Sequence, residues 1–195
     1  SPWVMTVAAS SHDRRFGHLV DVLDPYNDDL LSLFALPGSG AKFTNSLTSI
    51  EIRFDENNPT GCSDYPTEFF LGAVALIQRG GCTFAQKVNY AQEAGAEGVL
   101  VFNNAGFAFP MGGLEATTIP SAMLDQADGE ALRNHILQVW GDYSLPVIVA
   151  VSAFDKIVGD YGDIKADFSF RGPSANDFEV LKPDITAPGL EILAA

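Results

Sequence analysis

Basic residues are scarce in this 195-residue chain: 11 Lys and Arg stand against 25 Asp and Glu, for a net charge of −14 and an isoelectric point near 4.3. Such a field repels phosphate backbones and anionic lipid headgroups, so neither nucleic acid nor a membrane surface is an expected partner. Long apolar runs are also missing. The best candidate, Leu145 to Phe154, is interrupted by Pro146 and Ser152 and falls far short of the ~20 residues a membrane span needs. There are two cysteines, Cys62 and Cys82. A bridge between them would close a loop of about 20 residues and stabilise the fold by about 3 kcal/mol on a chain-entropy argument, while two buried free thiols are the alternative.

Catalytic and phosphate-binding signatures are absent as well. The chain has no G-x-S-x-G nucleophile elbow, no G-x-G-x-x-G and no G-x-x-x-x-G-K loop, so no strained serine turn or phosphate cradle is expected. It has no C-x-x-C and no H-x-x-x-H pair for zinc. Its histidines, His12, His18 and His135, lack partner spacing and read as structural or surface residues. Two acidic clusters, Asp24/Asn27/Asp28/Asp29 and Asp55/Glu56/Asn57/Asn58, offer the hard oxygen donors calcium needs. Neither has EF-hand spacing, and Asx turn capping accounts for them better. The expectation is no catalytic residue, no metal site and no cofactor, with calcium the weak alternative.

What is present is a core-forming composition, 47% hydrophobic and 18% charged, too apolar for a disordered chain. The length fits one domain with appendages or two small domains. Residues 3–9 read as a short apolar strand. Residues 49–54 alternate, with Ile50, Ile52 and Phe54 on one face and Glu51 and Arg53 on the other, the pattern of a half-buried strand. Phe69 to Ile77 is a continuous apolar run, as in a strand buried on both faces. Thr83 and Gln86 form a T-x-x-Q capping box at a helix start. Phe84, Val88, Ala91 and Ala94 then share one face of that helix and Gln86, Lys87, Asn89, Gln92 and Glu93 the other, with Gly95 as the stop. A strand at 98–102 follows, completing a βαβ unit.

Residues 103–117 read as a loop rich in Gly, Ala and Phe, 118–124 as a strand, and Asp125 as the N-cap of a helix over 126–137. That helix should place Ala131, Leu132, His135 and Ile136 on its apolar side. Residues 146–153 read as a further strand. After Lys156 the chain is punctuated by Gly and Pro and reads as mostly irregular. The N-terminal Ser-Pro-Trp-Val-Met has neither a start Met nor a basic n-region, so it does not read as a signal peptide, and the chain is expected to be a piece of something longer.

The stretch Gly72 to Lys87, with its R-G-G-C-x-F-x-x-K run at Arg79–Lys87, continues into Ala91-x-x-Ala94-Gly95-Ala96, Gly98 to Asn104 and Ile119-Pro120-Ser121. It closely resembles the protease-associated (PA) domain over roughly residues 60–136. The ends resemble a different family. Thr6 to Ser10 with Asp13-Arg14, then Phe168 to Pro173, Leu181 to Gly189 and Ile192 to Ala195, are similar to the segments of subtilisin-like serine proteases that run just before the element carrying the catalytic serine. Phe170 stands where that pattern usually has a second Ser, and positions 16–59 and 137–167 match neither motif.

These resemblances imply an α+β fold, a β-rich barrel- or sandwich-like core flanked by two or more helices with a short βαβ unit. They imply subtilase flanks at 1–15 and 154–195 around a PA domain at 16–153, and a Cys62–Cys82 disulfide. They also imply a secreted parent protease whose catalytic Asp, His, oxyanion Asn and Ser all lie outside this chain, so that the chain alone hydrolyses nothing. In such proteases PA domains are associated with binding protein or peptide substrate, with access to the cleft or with dimerisation, and in other proteins with receptor and sorting roles. The loop Phe107, Phe109, Pro110 and Met111 is the candidate contact surface, the alternative being that these side chains cap their own core. The flanks, parted from the rest of the catalytic domain, are expected to need other partners for their apolar faces and backbone groups, or to remain mobile. The 155–195 tail is expected to be poorly packed, swapped with another chain or laid across the core.

Overall fold

The computed structural model describes residues 5–11, 13–158, 162, 164, 165, 169 and 183–189. They fall into two compact units, one from 17–155 and one from 1–16 with 156–195.

The larger unit is built on β2 (Arg14–Asp24), β3 (Leu33–Pro37), β4 (Leu47–Arg53), β5 (Ala73–Gln78), β6 (Gly98–Phe102), β7 (Ser121–Leu124) and β8 (Val147–Val151). The strand order is β3-β7-β6-β5-β4-β8-β2, and an added β3–β2 pairing closes the ring. The seven strands therefore form a barrel with no free edge among them. β4, β5, β6 and β7 run parallel to their neighbours in that order, whereas β2, β3 and β8 make antiparallel pairs.

Pleating divides the side chains into two cores. Inward-facing Val20, Val22, Ala35, Ile52, Val74, Leu76, Leu100, Phe102, Leu124 and Val149 form the first, together with Leu132, Ile136 and Val139 of α2 (Gln126–Tyr143). Alternate residues of β5–β7, namely Ala75, Ile77, Val99, Val101 and Met123, face outward into a second core with Val88 and Ala91 of α1 (Phe84–Glu93) and Ala94 at its C-cap. β5 and β6 are apolar on both faces because both are covered. β8 alternates buried and half-buried residues because only one face is.

The unit β5–α1–β6 is the expected βαβ, with β5 and β6 in parallel register from Val74↔Gly98 to Gln78↔Phe102. The α1 capping box is formed: Gln86 N donates to Thr83 Oγ1 at 3.3 Å and Thr83 N to Gln86 Oε1 at 3.1 Å.

Several expectations need correction. The apolar run at 69–77 is a strand only from Ala73, because Glu68 and Gly72 take positive φ values of 61° and 67° and turn the chain. Phe70 of that turn is nonetheless fully buried in the outer core. The strand expected over 118–124 begins only at Ser121, after Pro120. The second helix continues to Tyr143, and Ala131 is exposed on it while Val139 joins the core. Asp125 precedes the helix but gives it no side-chain cap. β2 and β3 were not foreseen.

In the smaller unit β1 (Val7–Ser10) pairs in parallel with β10 (Ile185–Pro188), register Val7↔Ile185 to Ser10↔Pro188. Asp184 binds Thr6 twice, accepting from Thr6 N through Oδ2 at 2.7 Å and donating N–H to Thr6 O at 2.8 Å. β9 is Asp155–Val158. Among the described residues the two ends bond each other along the facing edges of β1 and β10, which meets part of the backbone demand expected of the flanks. Most of the 155–195 tail lies outside the described residues.

Candidate functional site

The loop after β6 is held by one side chain. Asn103 is buried, and its Nδ2 donates to Ala105 O at 2.5 Å and to Phe107 O at 2.6 Å. Its Oδ1 accepts from Arg79 Nη1 at 2.8 Å and from Asn104 N at 2.9 Å. All the hydrogen-bonding capacity of the amide is spent on folding the loop back onto β6. From the other side Asp125 Oδ1 accepts from Ala108 N at 2.5 Å, and Gln126 exchanges two bonds with Gly106. The carboxylate expected to cap α2 thus pins the loop instead.

The four loop residues singled out by sequence have different fates. Phe107 is 64% exposed and sits between the two clamped points. Phe109 is half-buried, 4.6 Å beneath the Arg79 guanidinium and 6.0 Å from the Phe84 ring. Pro110 is exposed. Met111 is completely buried and belongs to the outer core. Arg79 links the two halves, stacking on Phe109 with its face and bonding Asn103 with its edge. The loop therefore presents one aromatic ring, Phe107, on a fixed support.

Next to α1 the cysteines form a disulfide with Cα atoms 5.6 Å apart. Beside it lies a residue the sequence reading placed on the solvent face. Lys87 is fully buried, and its Nζ donates to Thr60 O, to Gly80 O at 2.5 Å and toward Cys62 Sγ at 3.5 Å. Burial pushes its ammonium down to about 8. Helical periodicity misassigned Lys87 because backbone carbonyls, rather than water, satisfy its charge. The only signal in sequence was its place at the end of the R-G-G-C-x-F-x-x-K run.

Neither described histidine meets a carboxylate. His18 is buried, bonded through Nδ1 to Ser152 O at 2.9 Å, and His135 bonds Pro25 O and Asn27. His12 lies outside the described residues. The acidic clusters serve as turn formers: Asn27 Oδ1 accepts from Asp29 N, Asp28 accepts from the Tyr26 hydroxyl, and Asp55 accepts from Asn57 N. Among the described residues no group of three or more His, Cys, Asp or Glu converges on a metal position.

Residues 45–132 match the family model described as "PA domain". The chain is similar to the minor extracellular protease Vpr of Bacillus subtilis, 32% identical over 153 residues, covering 76% of this chain and 17% of that protein. It is similar along its entire length to the subtilisin-like protease SBT5.4 of Arabidopsis thaliana, 27% identical, covering 25% of that protein. Leucine aminopeptidase 2 of Trichophyton equinum is 36% identical over 100 residues, half of this chain and 20% of that protein. The chain thus spans a quarter or less of each of these relatives. Over residues 45–132, which hold β4 to β7 and α1, the chain thus matches the PA domain, and it is similar to subtilisin-like proteases and to an aminopeptidase.

Proposed function

We propose that the chain is a non-catalytic accessory module of a secreted subtilisin-like serine protease, and that it contacts protein or peptide substrate and so regulates access to a cleft supplied by the rest of the enzyme. One observation carries the choice of parent. Similarity to a subtilisin-like protease extends over 100% of the chain, flanks included, whereas the aminopeptidase match takes in 50%. The Vpr relative, extracellular by name, supports secretion. The contact surface on this reading is the Phe107 tip, where an exposed ring on an immobilised loop offers binding area at little entropic cost.

Two measurements test it. Residues 1–195, incubated with a generic peptide substrate with and without a serine-directed inhibitor, should show no turnover; inhibitor-sensitive cleavage would overturn the non-catalytic reading. In the full-length protein, Phe107→Ser should raise KM for a protein substrate by about fivefold, on the order of 1 kcal/mol, and leave hydrolysis of a short peptide unchanged. Equal effects on both substrates, or on neither, would exclude a substrate-contact role for the loop.

A further inference from the structure

The surroundings of the two disulfide sulfurs are unequal. Cys62 Sγ lies 3.5 Å from the buried Lys87 ammonium and 3.5 and 3.3 Å from Thr60 O and Gly80 O, the two carbonyls that Lys87 also binds, and the Gly81 backbone lies against it so closely that a Cβ there would come within 2.8 Å. Cys82 Sγ meets Gly61 O at 3.7 Å and lies in the chain between exposed Gly81 and exposed Thr83. Cys82 also directly precedes the α1 N-cap, a place where helix amides commonly stabilise a thiolate. Here the capping box has engaged two of them, Gln86 N on Thr83 Oγ1 and Thr83 N on Gln86 Oε1. The positive charge that the structure places against the bridge, Lys87, is bonded to the Cys62 sulfur.

We propose that this disulfide is a thiol-exchange site with a fixed polarity: a low-molecular-weight thiol such as glutathione attacks Cys82 Sγ, and Cys62 departs as a thiolate held by Lys87. The attacking thiolate forms a bond to Cys82 Sγ while the Cys62–Cys82 bond breaks and its electron pair stays on Cys62. The attacking sulfur is oxidised to a mixed disulfide and Cys62 is reduced. The proton of the attacking thiol goes to solvent, and the Lys87 proton remains in a hydrogen bond to the new thiolate. Exchange is faster the better the leaving sulfur bears negative charge. Lys87 has already lost its water, two of its N–H groups are fixed on Thr60 O and Gly80 O, and the third is already directed at Cys62 Sγ, where the charge appears. Burial holds the ammonium at about 8 for want of a counter-ion, and cleavage of the bridge supplies one.

This inference is independent of any role in a protease and is tested on the 195-residue chain. Oxidised protein is treated with millimolar glutathione under native conditions, quenched in acid, alkylated and mapped by peptide mass spectrometry. The glutathione adduct should fall on Cys82 and the alkyl group on Cys62, by about fivefold over the reverse. Lys87→Met should slow exchange about tenfold and abolish the preference. Because that variant removes a buried group, the titration of single thiols gives a second reading. Cys62 in Cys82→Ser should alkylate as a thiolate with a pKa below the ordinary value of about 8.5, and below that of Cys82 in Cys62→Ser. Adducts on Cys62, equal adducts, no exchange, or a Cys62 pKa at or above the ordinary value would each overturn the proposal.

Discussion

His18 has one nitrogen satisfied and one enclosed by hydrocarbon. Ser152 O can only accept, so Nδ1 carries the proton in that 2.9 Å bond. Nε2 has no hydrogen-bond partner, and the ring packs edge-on against Phe43 and Phe154, 5.1 and 5.8 Å away. A second proton there would be buried without an acceptor. Burial accordingly holds the imidazole below its ordinary value of 6.5, opposed by the Ser152 bond and reinforced by Lys42. With the folded value depressed, the unfolded chain takes up the proton first as pH falls. The stabilisation is complete above pH 6.5 and is lost progressively below it. Urea denaturation should show a loss of up to about 1.4 kcal/mol between pH 7.5 and 5.5 from this group. His18→Asn, which keeps a donor near the Nδ1 position, should remove that component of the pH dependence. An unchanged slope in the variant would show that His18 is not the titrating group.

At the scale of elements, α2 shows how packing overrides propensity. Gly129 lies in its first turns, where alanine would ordinarily favour the helix by about 1 kcal/mol. A Cβ at this position would stand 1.9 Å from Phe102 Cβ, so helix and strand meet at a distance only glycine allows. Gly129→Ala should therefore destabilise the protein by about 1–3 kcal/mol through overpacking, measured by chemical denaturation. Gly141→Ala, with open space around its Cβ site, should be neutral or stabilising. The same physics limits what the sequence discloses. α1 was legible because its cap is local chemistry and its buried face repeats at helical spacing. β4 was legible because only one of its faces is buried. The extent of α2 was not, since Trp140 and Tyr143 are exposed and its last turn adds no apolar periodicity. β2 was hidden because Gly17 and His18 interrupt its apolar pattern, and both are explained only by neighbours far along the chain: a Cβ on Gly17 would strike Phe34 and Ala35, and His18 bonds Ser152. Lys87 and Asn103 belong to the same class. Their polarity reads as solvent exposure until the carbonyls they satisfy are placed around them.

For the whole molecule the consequential feature is ring closure. The β3–β2 pairing joins His18↔Ala35, Leu19↔Phe34 and Val20↔Leu33, and every residue in it lies within 17–155. All pairings of β3, β7, β6, β5, β4 and β8, both cores, both helices and the disulfide lie in the same span. The family resemblance implies a barrel- or sandwich-like core, but no local pattern marks the closing pair, because closure depends on one long-range pairing between two strands that carry weak local signals. Its consequence is that residues 17–155 leave no strand of the ring with an unpaired edge, the defect that makes an excised sheet aggregate. Expressed alone, 17–155 should be monomeric by sedimentation, should keep its β-rich circular dichroism and should unfold in a single cooperative transition. Disrupting closure should do more harm than trimming the ends. Leu33→Lys, which puts a charge at a buried position of the closing pair, should cost about 3 kcal/mol or more and open two edges at once, with aggregation as the visible result. A fragment 17–155 that is molten or aggregated while the 195-residue chain is not would mean that the closed ring alone is not enough to hold this fold.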